Sequence, residues 1–264
     1  MPVAVMRRRA WILAAPSLLL GGSPAAGTAR PRTPLAATPI ARTDLKWWRE
    51  RHERKLAELR TRQPALVFYG DSITQQWERS GPPEWRDYAP VWQRFYGARN
   101  AVNLGYTGDT TASLIWRIQN GEAAGIDPRA AVILIGANNL GRVRWGTEDT
   151  MAGIERITRE LGQRLPRTRL LLLGILPSER SPWVNETTAA INRGLAGRYP
   201  RGHAVTFLDL GHLFLREGRL DRSQFYDPLL KPPEPPLHPT AAAMGRLAEA
   251  MEPTLAAWLQ PEGR

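Results

Sequence analysis

The chain has 264 residues, of which 42% are hydrophobic and ten are Trp, enough apolar material for one well-filled domain and too much for a disordered chain. It holds 36 Lys and Arg against 25 Asp and Glu, a net charge of +11, and no Cys. The lack of Cys excludes disulfides, thiolate catalysis and cysteine-ligated metal. The charge is no nucleic-acid stripe: Arg7, Arg8, Arg9, Arg30, Arg32 and Arg42 sit in an acid-free stretch, and later arginines alternate with acids, as in Arg49, Glu50, Arg51, Glu53 and Arg54.

In chain order, Arg7–Arg9, the apolar run 10–20 and the small residues of 21–27 have the order of an export signal, with Arg8-Arg9 also compatible with a twin-arginine route. The expectation is a signal peptide over 1–27, a periplasmic or secreted product and no stable membrane insertion after processing, since the run is short and broken by Pro16. Residues 28–42, rich in Pro, Ala and Thr, read as a flexible tether, and 43–264 as the domain. Within it, Leu45, Trp48, His52, Leu56 and Leu59 predict an amphipathic helix over 44–62. Apolar runs at 65–69, 101–104, 131–135, 170–173 and 204–208 predict five buried strands. Helical patterns at 110–119, 147–165, 185–199 and 239–259 separate or follow them. Alternation of this kind implies an α/β fold, a parallel sheet covered on both faces in three layers.

Ligands of such sheets bind beyond the carboxyl ends of the strands. The first run is followed there by Gly70-Asp71-Ser72, the second by Gly105-Tyr106-Thr107-Gly108-Asp109, and the third by Gly136-Ala137-Asn138-Asn139. A hydroxyl at a strand end attacks an ester if a base takes its proton and donors hold the oxyanion. Ser72 supplies the hydroxyl; its own N–H, the N–H of Gly105 and the amide of Asn138 are candidate donors, Gly105 because a missing Cβ permits close approach. Of the four histidines, His52 lies in the first helix and His203 and His212 flank the last strand. His238 precedes Pro239 and a helical run, which suits a cap and keeps the imidazole neutral as a base. Taken singly, each feature also has a bland reading: Gly-Asp-Ser is a common turn, and His238 is a common cap. Most of the tryptophans read as core or lid rather than sugar-stacking platforms.

Gly70-Asp71-Ser72, Gly105, Gly136-Ala137-Asn138 and His238-Pro239-Thr240 resemble, in order, the four blocks of the SGNH (GDSL-like) hydrolase superfamily. The stretches 103–111 and 115–122 are similar to the α-subunits of platelet-activating-factor acetylhydrolase and their bacterial relatives. The resemblance implies a flavodoxin-like SGNH fold with a five-stranded parallel sheet and ester hydrolysis through an acyl-serine. It also implies no metal or cofactor, and Asp71 as the residue that shapes the nucleophile turn. Its pattern puts an aspartate three residues before the histidine, where this chain has Pro235. Glu234 is the first candidate for the orienting acid, Asp227 a more distant one, and a Ser-His dyad a third arrangement. The expected function is hydrolysis of a short-chain, acetyl-type ester of a lipid, carbohydrate or other small molecule. Pro235 alone favours a catalytically impaired carbohydrate- or lipid-binding module.

Overall fold

The computed structural model describes Met1 and residues 33–200 and 204–260; the expected signal, the start of the expected tether and His203 lie outside them. The five apolar runs form five parallel strands: β1 (Leu66–Gly70), β2 (Ala101–Gly105), β3 (Ala130–Leu134), β4 (Arg169–Leu173) and β5 (Val205–Leu208). They lie in the order β2-β1-β3-β4-β5, the flavodoxin-like order, whose switch point flanks β1.

Alternate strand residues feed two cores. Val67, Tyr69, Ala131, Ile133, Leu170 and Leu172 pack with Leu114, Ile115, Ile154, Ile157 and Ile191 on one face. Leu66, Phe68, Val132, Leu171 and Leu173 pack with Tyr96, Met244, Leu247, Met251 and Leu255 on the other. The first face is covered by α1 (Lys46–Arg62), α4 (Thr111–Arg117), α6 (Thr147–Arg164) and α7 (Pro182–Arg198). The second is covered by α3 (Ala89–Tyr96) and α8 (Ala241–Leu259). Short helices α2 (Ser72–Gln75) and α5 (Ala137–Gly141) follow β1 and β3 directly.

Three expectations change. Residues 33–42 are no tether: Leu35–Ala37 form a helical turn with Ala36 and Ala37 buried, and the Thr111 hydroxyl donates to Ala36 O at 2.7 Å. Helix α7 starts earlier than its pattern, because Ser181 caps it by accepting from the Val184 amide at 3.2 Å and Pro182 suits its first position. Thr240, not His238, caps α8, accepting from the Ala243 amide at 3.2 Å. Pro239 therefore precedes the cap, and His238 is left in the loop.

A buried cation joins the ends of β1 and β2. Arg117 donates to Gly70 O at 3.2 Å and Leu104 O at 3.1 Å, to Asp109 at 2.8 Å and to Glu122. Its guanidinium lies 3.9 Å from the centroid of the Tyr106 ring. Burial opposes its charge, but Glu122 and Asp109 outweigh that and hold it above the ordinary arginine value. Removing one partner of a buried pair leaves the other uncompensated, at about 3–5 kcal/mol. Arg117→Leu is therefore expected to lower Tm by roughly 6–20 °C, at 2–4 °C per kcal/mol for a domain of this size. Calorimetry that finds a shift of under about 2 °C shows that the strand ends do not need it.

Candidate active site

The sheet brings Ser72, Asn138 and His238 to one edge. Ser72 opens α2 straight after β1, and Asp71 before it caps the turn, its carboxylate accepting from the Ile73 amide at 3.0 Å. The Ser72 hydroxyl lies 3.0 Å from His238 Nε2. His238 Nδ1 lies 2.6 Å from Asp227 Oδ1. Asp227 Oδ2 accepts from the amides of His238 at 2.6 Å and Leu237 at 2.8 Å. Burial alone raises the Asp227 carboxyl, but the hydrogen bonds and charge of His238, with the two amides, hold it below the usual carboxylate range. An ionised Asp227 makes Nδ1 the donor, so Nε2 turns its lone pair to the Ser72 hydroxyl. The Tyr226 ring stacks on His238, centroids 5.4 Å apart and planes at 10°, and fixes the imidazole plane.

Glu234 does not orient His238, contrary to its place as first candidate. It is exposed, its backbone amide donates to Asp227 O at 3.0 Å and closes the proline-rich loop, and the Nδ1 edge of the ring is taken by Asp227. The acid comes from the far end of that loop, eleven residues before the histidine. Only the loop's closure shows this, since nothing in the local pattern of 227–238 marks the pair.

Gly105 serves packing. Its N–H donates to Asn103 Oδ1 at 2.8 Å, so it is not free for a substrate oxygen. A Cβ there would fall 2.2 Å from the Gln75 amide nitrogen, so the close approach is to the α2 backbone. Asn103 also donates to Thr74 O at 2.7 Å, locking β2 to the nucleophile turn. Gly108, in the same strand-end motif but not among the expected donors, differs from Gly105. It sits at φ +77°, in the left-handed region open to glycine, and its N–H has no acceptor among the described residues. Arg42 clamps it on both sides, donating to Thr107 O at 2.9 Å and Asp109 Oδ1 at 2.8 Å. Asn138 donates one amide hydrogen to Asp109 O at 3.0 Å, and its second hydrogen is free for another acceptor. The Ser72 N–H likewise has no acceptor among the described residues.

His52, set aside as the base, is buried against Glu122 at 3.1 Å and Asn120 O at 3.1 Å, and His212 is exposed beyond β5. No cluster of three or more His, Asp or Glu able to hold a metal ion occurs among the described residues, and no described helix is long and apolar enough to cross a membrane.

Burial pushes the Asp71 carboxyl up to about 6 from 3.8; the Ile73 amide, His238 and Arg180 oppose the rise and Asp109 adds to it. With its folded value raised, this group's contribution to stability is full below its unfolded value and is lost as pH rises through about 6. Asp71→Asn keeps the acceptor for Ile73 and removes the titration. Its stability relative to the parent is expected to improve by about 2–3 kcal/mol between pH ~4 and ~7 in urea unfolding. Identical pH dependence in the two proteins would contradict this.

The model of the GDSL-like lipase/acylhydrolase family matches residues 68–246. The chain is 31% identical over 189 residues to the platelet-activating factor acetylhydrolase IB subunit alpha1 of Homo sapiens, covering 68% of this chain and 74% of that protein. Among solved structures it is similar to a GDSL-like lipase from Bacteroides thetaiotaomicron, with a TM-score of 0.58 and 16% identity over 79% of this chain and 97% of that one. A carbohydrate esterase family 3 structure from Talaromyces cellulolyticus gives a TM-score of 0.54 and 16% identity over 74% and 97%.

Proposed function

The chain belongs to the GDSL-like lipase/acylhydrolase family and is a carboxylic ester hydrolase, and from that premise we propose that it cleaves short-chain, acetyl-type esters of small molecules through an acyl-Ser72 intermediate. The observation that carries this is the unbroken line from Asp227 through His238 to Ser72, with contacts of 2.6 and 3.0 Å. Acetyl is the acyl group named for the acetylhydrolase relative.

In this reading His238 Nε2 takes the Ser72 proton as the oxygen attacks the ester carbonyl. Asp227 holds the tautomer and stabilises the imidazolium. The carbonyl oxygen gains charge and is met by Ser72 N–H, Asn138 Nδ2 and Gly108 N–H, the last in the place expected for Gly105. As the tetrahedral species collapses, His238 returns the proton to the leaving alcohol oxygen. Water, deprotonated by the same nitrogen, then releases the acid and restores Ser72. The binding-module alternative rested on Pro235, and Asp227 supplies the acid that Pro235 lacks, so nothing favours it. Export, on the order of charges and apolar residues in 1–27, remains part of the proposal.

Turnover of p-nitrophenyl esters tests the reading, with the acetate expected to have the highest kcat/KM of the series. Asp227→Asn is expected to lower kcat by roughly 10³–10⁴, as loss of a tautomer-fixing aspartate does elsewhere, and Glu234→Gln by less than about threefold. Equal small effects of both substitutions would point to a Ser-His dyad.

A further inference from the structure

Near Asp227 and His238, three guanidinium groups gather, none of them in an ion pair with a carboxylate among the described residues. The leaving oxygen must come within hydrogen-bond reach of His238 Nε2 to be protonated, so the alcohol lies on the histidine's side of the scissile bond. A cleft of about 370 Å³ abuts this histidine through its partner Asp227 and is lined by Asp227, Glu234, Pro235 and Leu237 and by Arg180, Arg144 and Trp183.

Arg180 is half-buried and held in place: it donates to Ala137 O at 2.9 Å. Its guanidinium lies so close over Gly141 that a Cβ there would fall 1.7 Å from Cζ. Arg144 lies over the Trp183 ring, 5.1 Å from its centroid. Arg142 reaches the site from the Gly108 side, where a Cβ would fall 2.2 Å from its Nη1. Among the described residues none of these three arginines has a carboxylate within ion-pair distance. Burial pushes the Arg180 guanidinium below its ordinary value, the pull of Asp71 and Asp227 notwithstanding, and Arg142 pushes the same way. Of the acids nearby, Asp227 is committed to His238, Asp71 is buried under the turn, and Glu234 is an exposed lining residue of the cleft.

Resting on the Ser72 esterase reading, we propose that the alcohol portion of the substrate carries a net negative oxygen group, a carboxylate or a phosphate, bound by Arg180 and Arg144 while Ser72 attacks the acyl carbon. A planar guanidinium pairs with such groups through two parallel hydrogen bonds, and a fixed, half-buried one loses little freedom in doing so. Trp183 supplies an apolar wall for the carbon stem between ester and anion.

Acetate release is measured from 2-acetoxyethyl phosphate and 3-acetoxypropanoate, and from their neutral methyl esters. In the parent the anionic member of at least one pair is expected to have about tenfold higher kcat/KM, and the pair with the larger ratio identifies phosphate or carboxylate. That ratio is expected to fall to about twofold in Arg180→Gln and in Arg144→Asn, and to shrink in about 0.5 M NaCl. It is expected to rise in Glu234→Gln, which removes a like charge from the cleft. Arg144 is exposed, so its variant carries the test if Arg180→Gln does not fold. Ratios near one in the parent, or ratios unmoved by folded arginine variants, overturn the proposal. If none of the four esters, nor p-nitrophenyl acetate, is turned over, the esterase reading fails by itself. Calorimetric titration with 2-hydroxyethyl phosphate and 3-hydroxypropanoate then decides the anion site: binding lost in the arginine variants upholds it, and no binding of either overturns it.

Discussion

The Arg117 guanidinium, buried where β1 and β2 end, is the interaction on which the rest of the site depends. Two backbone carbonyls, two carboxylates and a tyrosine face are arranged around one charge. Arg117 donates to the carbonyls of Gly70 and Leu104, the first of which also accepts from the Tyr106 amide at 3.1 Å, at the points from which the Ser72 turn and the Gly108 loop depart. Asp109, one of its carboxylates, is also held by Arg42 and Trp48 Nε1 at 2.8 Å each. Through Asp109 the brace reaches Asn138, which bonds the same residue's carbonyl. The groups proposed as oxyanion donors are thus fixed to the scaffold before any substrate arrives, as electrostatic preorganisation would require.

The proposed nucleophile and its proposed base are held by different physics. Ser72, Gly108 and Asn138 follow from strand ends at the switch point. His238 and Asp227 come from one irregular loop beyond β5, closed by backbone bonds from Glu234 and Tyr226 to Asp227 O and His238 O. The ring is pinned by Asp227 at one edge and by the Tyr226 face, itself stacked with Trp85 at 5.4 Å. A rigid sheet holds one half of the site, and a proline-rich loop tied at its ends holds the other.

Legibility in the sequence follows that division. The five strands were readable because a strand buried on both faces is apolar throughout, and β1 to β5 each fall within about a residue of their runs. That Ser72 and Asn138 meet at one sheet edge was readable because strand ends place them, and His238 was singled out because a histidine before Pro-Thr is distinctive. Helix α3 was missed, since Ala89–Tyr96 is short and lies among prolines and aromatics that also fit a loop. The partner of His238 was misread as Glu234 because sequence distance stood in for spatial distance, whereas the loop folds back on itself. Gly105 was assigned to the oxyanion because a missing Cβ signals close approach without saying to what. The approach is to Thr74 and Gln75, and of the two glycines it is Gly108 whose N–H has no acceptor among the described residues. The packing of 33–42 was hidden by a composition that suits a linker equally well.

A fluorophosphonate probe reports the central claim most directly, because it phosphorylates a serine only where a base has activated it and donors stabilise the developing oxyanion. Incubation of the folded protein followed by peptide mass mapping is expected to place one adduct on Ser72, lost in His238→Ala and after heat unfolding. An adduct on another serine, or none on folded protein, would contradict the role assigned to Ser72.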